Sequence, residues 1–240
     1  MKADYAKYLI EKGREDYNKI AQYFSETRFH LWSDFKDFGW YFKDGNTVLD
    51  AGCGNGRLSE IFEKIKVKYF GIDSSEKLIA AAKIKYPSQK FQVSDILDLN
   101  FSKDTFDTIF LIAVLQHVPS REFRLKALEN LHWVLKDGGY LLMTNWNLWQ
   151  KEFRGLRLKY NLLKILGQNK MDFNDIFKAW KSPRGELITE RYLHGFDRAE
   201  IEGLLKMTRF KIIKNYYSLK GEEASRGQAY NLVTIAQKTD

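Results

Sequence analysis

A short apolar run near residue 50 ends in an acidic residue and three alternating glycines. The segment is Val48-Leu49-Asp50-Ala51-Gly52-Cys53-Gly54-Asn55-Gly56. Glycines let the backbone approach a ligand closely, because no side chain intervenes. A dinucleotide-binding loop has the spacing G-x-G-x-x-G and holds a pyrophosphate at a helix N-terminus. The spacing here is G-x-G-x-G, and a carboxylate at Asp50 would repel pyrophosphate but suits the amino group of a methionine moiety. The pattern therefore disfavours nicotinamide cofactors.

Two further acidic residues stand at the ends of the next two predicted strands. Asp73 closes the apolar run 69–73, where an acid can accept hydrogen bonds from both ribose hydroxyls of an adenosine. Asp95 follows the run 90–94, so its carboxylate would meet an adenine amine while Ile96 packs on the ring. Each acid alone is typical of a surface or capping residue. Three acids at successive strand ends after this loop indicate an adenosyl-type ligand.

Alternating strands and helices position these residues. Apolar periodicity predicts helices over 5–24, 57–65, 75–86, 121–135 and 198–207, and strands over 47–50, 69–73, 90–94, 106–113, 140–144, 211–217 and 231–237. This order predicts an α/β, Rossmann-like fold: a seven-stranded, mostly parallel sheet with helices on both faces and an antiparallel last strand. We expect one domain with four parts: a helical cap (1–45), a cofactor-binding core (46–145), a basic and aromatic insertion on the substrate side (146–190), and a C-terminal helix with the final strand pair (191–240).

Positive charge is concentrated in one part of the chain. The formal net charge is +8, and residues 151–184 contain nine lysines and arginines against three acids. A solvated helix face would explain this cluster. A surface for phosphates would explain it equally, because several cations together release counterions from a polyanion.

Cysteine usage and hydropathy bear on location and metal binding. The single cysteine, Cys53, cannot form an intrachain disulfide, and no apolar run is long enough to cross a bilayer. The first residues lack the apolar stretch of a signal peptide. We therefore expect a cytoplasmic protein without membrane association. Four scattered histidines and one cysteine predict no metal site.

The motifs resemble those of the class I S-adenosylmethionine-dependent methyltransferases. Residues 49–56 are similar to the first motif of this family, 71–74 to the second, 94–96 to the third, 106–117 to the fourth-strand motif, and 135–139 to the turn before the fifth strand. The resemblance implies a methyltransferase that uses S-adenosyl-L-methionine. The cofactor residues that it implies are Arg28, Asp50, Gly52, Cys53, Gly54, Asp73, Ser74, Asp95, Ile96, Ile112 and His117. Arg28 would pair with the methionine carboxylate, and Cys53 would contribute its backbone N–H.

A narrower resemblance extends to both ends of the chain. Residues 16–28 are similar to the N-terminus of tRNA wobble-uridine carboxymethyl methyltransferases, including the domains fused to AlkB-type hydroxylases in animals. Trp180 and the run 191–196 resemble their Trp and Arg-Tyr-Tyr-His blocks, with Leu193 in place of the second tyrosine. The resemblance implies a tRNA substrate and methyl esterification of a wobble 5-carboxymethyluridine carboxylate. Eukaryotic relatives work with a small zinc-binding activator protein, so such a protein is a candidate partner beside tRNA.

The residues that would contact the substrate follow from that resemblance. The substrate-orienting candidates are Trp180, Arg191, Tyr192 and His194. A carboxylate acceptor is already ionised near neutral pH, so it requires positioning and no general base. Arg191 and His194 would orient it, and Trp180, Tyr192 or Trp146 would receive the unstacked base.

Two other functions remain open from the sequence. One is a small-molecule O- or C-methyltransferase acting on an aromatic or carboxylic acid acceptor, because the same cofactor core serves many substrates. A continuous basic face beside the cleft would favour RNA over such an acceptor. The other is a cofactor-binding protein without catalysis, which the three acids at the strand ends argue against.

Overall fold

Ten β-strands and five α-helices follow one another in the computed structural model, which describes residues 1–27 and 38–239. The strands are β1 Thr47–Ala51, β2 Lys68–Asp73, β3 Lys90–Val93, β4 Phe106–Ile112, β5 Leu135–Trp146, β6 Asp175–Lys181, β7 Leu187–His194, β8 Phe210–Leu219, β9 Glu222–Glu223 and β10 Asn231–Lys238. The helices are α1 Ala3–Thr27, α2 Glu76–Lys85, α3 Arg121–Val134, α4 Lys151–Ile165 and α5 Arg198–Met207. Within this part of the chain no helix combines the length and apolar character needed to span a bilayer.

Eight strands form one sheet in the order β3-β2-β1-β4-β5-β10-β8-β9. The first five are parallel to their neighbours, and β10 runs antiparallel to both β5 and β8. The predicted Rossmann-like fold with an antiparallel last strand is confirmed. The sheet has eight strands and not the predicted seven, because a tight turn folds β9 back onto β8. Positive φ angles of 55° at Lys220 and 88° at Gly221 are those of a hairpin turn.

Side chains alternate between two cores on opposite faces of the sheet. Leu49 and Ile109 pack in a core shared with α3 and α5. Val48 and Phe110 pack in a second core shared with α2. Since both faces are covered, a ligand can approach the sheet only at the ends of its strands.

Two predicted elements differ in form from those observed. The predicted helix over 57–65 is a 3₁₀ helix over Arg57–Phe62, which follows a left-handed Gly56 that provides no side-chain cap. The fifth strand begins at Leu135 and includes the predicted turn over 135–139, with a register irregularity opposite Phe106 and Thr108.

The insertion contains a separate hairpin of β6 and β7, against which α4 packs. The predicted division between residues 190 and 191 falls inside β7. Helix α1 joins this hairpin to the main sheet layer. Asp16 accepts a 2.6 Å hydrogen bond from Thr189 Oγ1 in β7, and Asn18 Oδ1 accepts one of 2.7 Å from Ser75 Oγ, the N-cap of α2. These bonds fix α1 across the carboxyl ends of the parallel strands.

Candidate cofactor and substrate site

A cleft opens where the parallel strands end and α1 crosses them. The predicted cofactor residues that line it are Asp50, Gly52, Cys53, Gly54, Asp73, Ser74, Asp95, Ile96, Ile112 and His117. The carboxyl ends of parallel strands meet at one edge of a sheet, which explains why residues far apart in the sequence converge. Arg28 lies outside the described residues.

The glycine loop turns tightly beneath this cleft. Gly52 has a φ angle of 81°, and a Cβ atom there would lie 2.3 Å from Val114 Cγ2, so a side chain is excluded on both grounds. A Cβ atom on Gly54 would lie 3.2 Å from a ring carbon of Phe24 in α1. The N–H of Cys53 donates to the Ile72 carbonyl at 2.8 Å and is therefore engaged within the protein. The loop leaves bare backbone at the floor of the cleft.

Asp73 is held by backbone donors on both of its carboxylate oxygens. Gly54 N–H donates to Oδ2 at 2.9 Å and Ser75 N–H to Oδ1 at 2.8 Å. Burial raises the pKa of Asp73 and the nearby Asp95 adds to the rise, whereas the two N–H donors lower it. Each oxygen still has accepting capacity beyond its backbone bond. Asp73 can therefore accept the paired hydroxyls of a ribose.

Asp50 lies deeper than Asp73, with its side chain almost fully buried. Tyr69 donates a 2.7 Å hydrogen bond to its Oδ2. Burial raises the pKa of Asp50 to about 7, with Asp73 acting in the same direction, while the Tyr69 hydrogen bond and the Arg57 charge oppose the rise. A cationic amino group placed beside Asp50 would favour its ionised form.

Asp95 stands at the third strand end with its side chain fixed locally. Its Oδ1 accepts a 2.9 Å hydrogen bond from the N–H of Leu97. The following residue, Ile96, is 8% exposed and lines the cleft beside it. This pair suits an adenine ring, because the carboxylate can accept from the adenine amine and the apolar side chain can pack on the flat face of the ring.

Helix α1 supplies a wall of the cleft that sequence reasoning missed. Its contributing residues are Ile10, Gly13, Arg14, Tyr17 and Phe24. Their separations of three, one, three and seven residues place them on one helical face. The same periodicity that predicted the helix could therefore have identified this face, but nothing in the sequence showed which surface it would meet.

A hydrogen-bonded chain crosses from the hairpin to the cleft. His117 Nδ1 lies 3.1 Å from the Tyr192 carbonyl, which can only accept, so Nδ1 carries the proton. Burial and the Arg191 charge lower the pKa of His117 to about 3, so its Nε2 is unprotonated and accepts from the Tyr17 hydroxyl at 2.9 Å. Arg191 Nη1 in turn donates to the Tyr17 oxygen at 3.3 Å. The chain fixes the tautomer of a neutral imidazole.

Arg191 is a buried cation surrounded by aromatic rings. Its side chain is 4% exposed, and its Cζ lies 4.5 Å from the ring centre of Trp180, 5.3 Å from that of Trp146 and 5.8 Å from that of Tyr17. Within residues 1–27 and 38–239 no acidic side chain pairs with it, and its buried Nε has no hydrogen-bond partner. Tyr17 and Trp146 line the cleft. Arg191 and Trp180 therefore stand directly behind its wall, where an anion would be favoured.

Tyr192 and His194, the other two substrate-orienting candidates, lie in a buried ionic network. His194 Nδ1 is 2.6 Å from Asp175 and its Nε2 is 3.0 Å from Glu200. Arg124 bridges the same two acids and donates to the Tyr192 hydroxyl at 3.1 Å. Neither candidate lines the cleft. Their side chains stabilise the junction of β7, α3 and α5.

The donors of the cleft fit an adenosylmethionine. Asp50 matches its amino group, Asp73 its ribose hydroxyls, and Asp95 with Ile96 its adenine, while the glycine loop allows close approach. The part of the chain that the structure describes contains no group of three or more histidines, cysteines or acids that could hold a metal ion.

Comparisons with known proteins agree with this geometry. Residues 49–143 match the family model described as a methyltransferase domain. The tRNA (carboxymethyluridine(34)-5-O)-methyltransferase of Arabidopsis thaliana is 35% identical over 57% of this chain and 33% of that protein. Its namesake in Saccharomyces cerevisiae is 31% identical over 71% of this chain and 56% of that protein. A third, from Schizosaccharomyces pombe, is 25% identical over 88% of this chain and 93% of that protein. The chain thus spans a third and just over half of the first two relatives.

Solved structures share the fold over almost the whole chain. A structure described as a SAM-dependent methyltransferase from Methanosarcina mazei is 26% identical with a TM-score of 0.70, over 85% of this chain and 97% of that one. A chain from the complex of the Haloferax volcanii Trm112 methyltransferase activator with a putative methyltransferase has a TM-score of 0.67 at 15% identity. The match covers 95% of this chain and 98% of that one. Residues 49–143 thus form a methyltransferase domain, and the chain shares its fold with a structure described as a SAM-dependent methyltransferase, which, with the glycine loop and the three strand-end acids, indicates S-adenosyl-L-methionine as the cofactor.

Proposed function

We propose that the protein methylates tRNA, converting the carboxylate of a wobble 5-carboxymethyluridine into its methyl ester. The three relatives named for this reaction support the proposal. The observation that carries it is Arg191, a buried guanidinium that stands among aromatic rings behind the cleft, with no acidic partner in the described ranges. Such a cation suits an anionic group on a planar base.

The cofactor half of the cleft binds and orients the methyl donor. When bound, S-adenosylmethionine supplies a methyl group on a positively charged sulfur, which leaves as a neutral thioether once the acceptor oxygen has attacked. Asp50 holds the amino group, Asp73 the ribose hydroxyls, and Asp95 the adenine amine. These contacts fix where the methyl group points, and such positioning alone removes several kcal/mol from the barrier of a two-component reaction.

The substrate half positions an acceptor that is already a nucleophile. Because the carboxylate is ionised at neutral pH, no side chain has to remove a proton. His117 is suited to orientation and not to proton transfer, since its pKa is about 3 and its Nδ1 is bonded to a carbonyl. Arg191 binds one carboxylate oxygen and leaves the other to attack. Trp146, which lines the cleft, provides a ring face for the unstacked base, and Trp180 supports Arg191 from behind.

A labelling experiment tests the proposal. Purified protein is incubated with S-adenosylmethionine carrying a labelled methyl group and with two tRNA preparations, one with 5-carboxymethyluridine at the wobble position and one with uridine. We expect label only in the first, and we expect mild alkali to release it, because an ester hydrolyses and an N- or C-methyl group does not. Unlabelled tRNA together with labelled small carboxylic acids from a cell extract would overturn the RNA proposal in favour of a small-molecule acceptor.

A small zinc-binding activator protein is proposed as a second partner. The structural similarity to a chain solved in complex with a methyltransferase activator is the supporting observation. The labelling assay, run with and without such a protein, measures its effect. Equal rates and no co-elution on gel filtration would remove it from the proposal.

A further inference from the structure

Two arginines stack on opposite faces of one tryptophan outside the cleft. The Cζ atom of Arg157 lies 3.7 Å from the ring centre of Trp149, and that of Arg226 lies 3.4 Å from it. Two guanidiniums cannot both stand at that distance over the same face, so the indole is held between them. These three side chains are called the Arg157–Trp149–Arg226 stack below.

Hydrogen bonds from side chains to backbone carbonyls fix the stack in place. Trp149 Nε1 donates to the Phe196 carbonyl at 3.0 Å, which sets the plane of the indole. The buried side chain of Asn147 donates to the carbonyls of Arg226 and Ala229 at 2.6 and 2.8 Å. The loop that carries Arg226 is therefore bound to the segment that carries Trp149.

The charge of the stack is uncompensated. In residues 1–27 and 38–239, neither guanidinium forms an ion pair or a hydrogen bond, and the buried Nε of Arg157 has no partner. Burial lowers the pKa of Arg157, and the positive charge of Arg226 lowers it further. Two cations held close together without a counter-ion repel each other, so a bound anion would stabilise the arrangement.

The stack lies on the same edge of the sheet as the cleft. Residues 147–149 directly follow β5, whose last residue, Trp146, lines the cleft. The N-terminal turn of α4, with Lys151 and Arg154 exposed, continues from Trp149. A strand of RNA whose nucleotide enters the cleft would pass this edge.

We propose that the Arg157–Trp149–Arg226 stack is a phosphate clamp that binds a phosphodiester of the RNA backbone near the nucleotide in the cleft. This inference rests on the proposed function and adds a contact that no substrate residue above supplies. Stacking uses the faces of the guanidiniums and leaves their N–H edges for phosphate oxygens, which they bind in pairs. Such a contact fixes the register of the RNA and reads no sequence.

A salt titration of tRNA binding tests the clamp. The protein carrying Arg157→Gln and Arg226→Gln is compared with wild type and with a control carrying Lys83→Gln and Lys211→Gln. The control removes the same charge from exposed positions in the last turn of α2 and the start of β8, at the opposite end of the strands. We expect the clamp variant to bind tRNA about tenfold more weakly at about 0.1 M salt, with a salt slope smaller by about 1 for each phosphate that the variant no longer binds. S-adenosylmethionine affinity, measured by calorimetry, should not change.

The possible results distinguish three cases: a failure of the clamp, a failure of the proposed function, and a site for free phosphate. Equal tRNA affinity and slope in the clamp and control variants, with tRNA methylation intact in wild type, would overturn the clamp and leave the proposed function standing. If wild type neither binds nor methylates tRNA, the function itself fails. Inorganic phosphate that binds wild type but not the clamp variant, while both bind tRNA equally, would mark a site for free phosphate and overturn the RNA contact. A variant with Arg157→Lys and Arg226→Lys should keep the salt slope and recover only part of the affinity, because lysine retains charge without paired donors.

Discussion

The hydroxyl group of Tyr17 donates a 2.9 Å hydrogen bond to Nε2 of His117, although the two residues are 100 positions apart. The same oxygen accepts from Arg191. One tyrosine of α1 therefore joins a histidine that follows β4 to an arginine of the hairpin, and so connects the proposed cofactor half of the cleft to the proposed substrate half.

Replacing Tyr17 with phenylalanine should remove the two hydrogen bonds that connect these halves. We expect Tyr17→Phe to lower kcat/KM for tRNA methylation by about tenfold, because Arg191 and His117 lose the bond that orients them. The free energy of unfolding should fall by about 1 kcal/mol. We expect S-adenosylmethionine affinity to stay within about threefold of wild type. Such a change corresponds to about 0.6 kcal/mol, which is less than the typical contribution of one hydrogen bond. Tyr8→Phe, at a half-exposed position of the same helix, is the control. Equal kinetics in the two variants would contradict the prediction.

Asp73→Asn tests the carboxylate at the second strand end. We expect S-adenosylmethionine to bind about 100-fold more weakly, because hydrogen bonds from two ribose hydroxyls to a charged acceptor are weakened at a cost of about 1.5 kcal/mol each. Calorimetry on the purified variant measures this, and thermal unfolding checks that it is folded. Asp98→Asn, which makes the same chemical change at a residue that does not line the cleft, should bind normally. Wild-type affinity in Asp73→Asn would remove Asp73 from the site.

The raised pKa of Asp50 predicts a pH dependence of stability. Its folded pKa of about 7 lies above the ordinary value of 3.8, so the folded state binds the proton more tightly than the unfolded state does. Its contribution to stability is therefore fully present below about pH 4 and is lost as the pH rises through about 7. Urea unfolding of wild type between pH 5 and 8.5, on the order of one scan per half unit, should show this decline, and Asp50→Asn should lack it. Parallel curves for the two proteins would refute the assignment.

The same ionisation should affect ligand binding in the opposite sense. The amino group of the cofactor pairs with the ionised carboxylate, so S-adenosylmethionine affinity should rise as the pH increases through about 7. Adenosine, which has no amino acid moiety, should bind with no such dependence. An equal pH dependence for both ligands would place the titrating group elsewhere.

Mutation of Arg191 should reduce activity, whereas mutation of His194 should reduce stability. Arg191→Gln should reduce tRNA methylation by about 100-fold, the effect of removing a charge-assisted interaction of about 3 kcal/mol, with little loss of stability. His194→Ala breaks the network with Asp175 and Glu200 and should lower the free energy of unfolding by about 3 kcal/mol. Turnover by its folded fraction should remain near wild type. A folded His194→Ala protein as inactive as Arg191→Gln would restore His194 as a substrate-orienting residue.

The proximity of the strand-end acids could be predicted from the sequence, because residues at the carboxyl ends of neighbouring parallel strands lie close together even when they are far apart along the chain. Asp50, Asp73 and Asp95 each follow an apolar run, and the carboxyl ends of such runs share one edge. No side-chain geometry was needed for that conclusion. The extra strand β9 was beyond prediction because it depends on positive φ angles at Lys220 and Gly221, and the lysine gives no sign of adopting one.

The substrate-orienting candidates of β7 do not lie together in the structure, for a reason that lies in strand geometry. The run 191–194 is one continuous block in the sequence, but it belongs to β7, and successive residues of a strand point to opposite faces. Arg191 therefore faces the aromatic rings beside the cleft, whereas Tyr192 and His194 face Arg124 and its acids. Recognising the hairpin from the sequence would have placed Arg191 and His194 on opposite faces of the strand.

Three consecutive residues of α1 bind three different parts of the protein: Asp16 contacts β7, Tyr17 contacts His117, and Asn18 contacts the cap of α2. Successive helical residues point about 100° apart, so one short rigid segment of α1 makes all three contacts, and one of them cannot shift without moving the others. A ligand that displaced α1 on one side of the cleft would therefore also disturb its contacts on the other side. Thermodynamic linkage makes the effect mutual: if the methyl donor tightens the grip on RNA, RNA must tighten the grip on the methyl donor by the same factor.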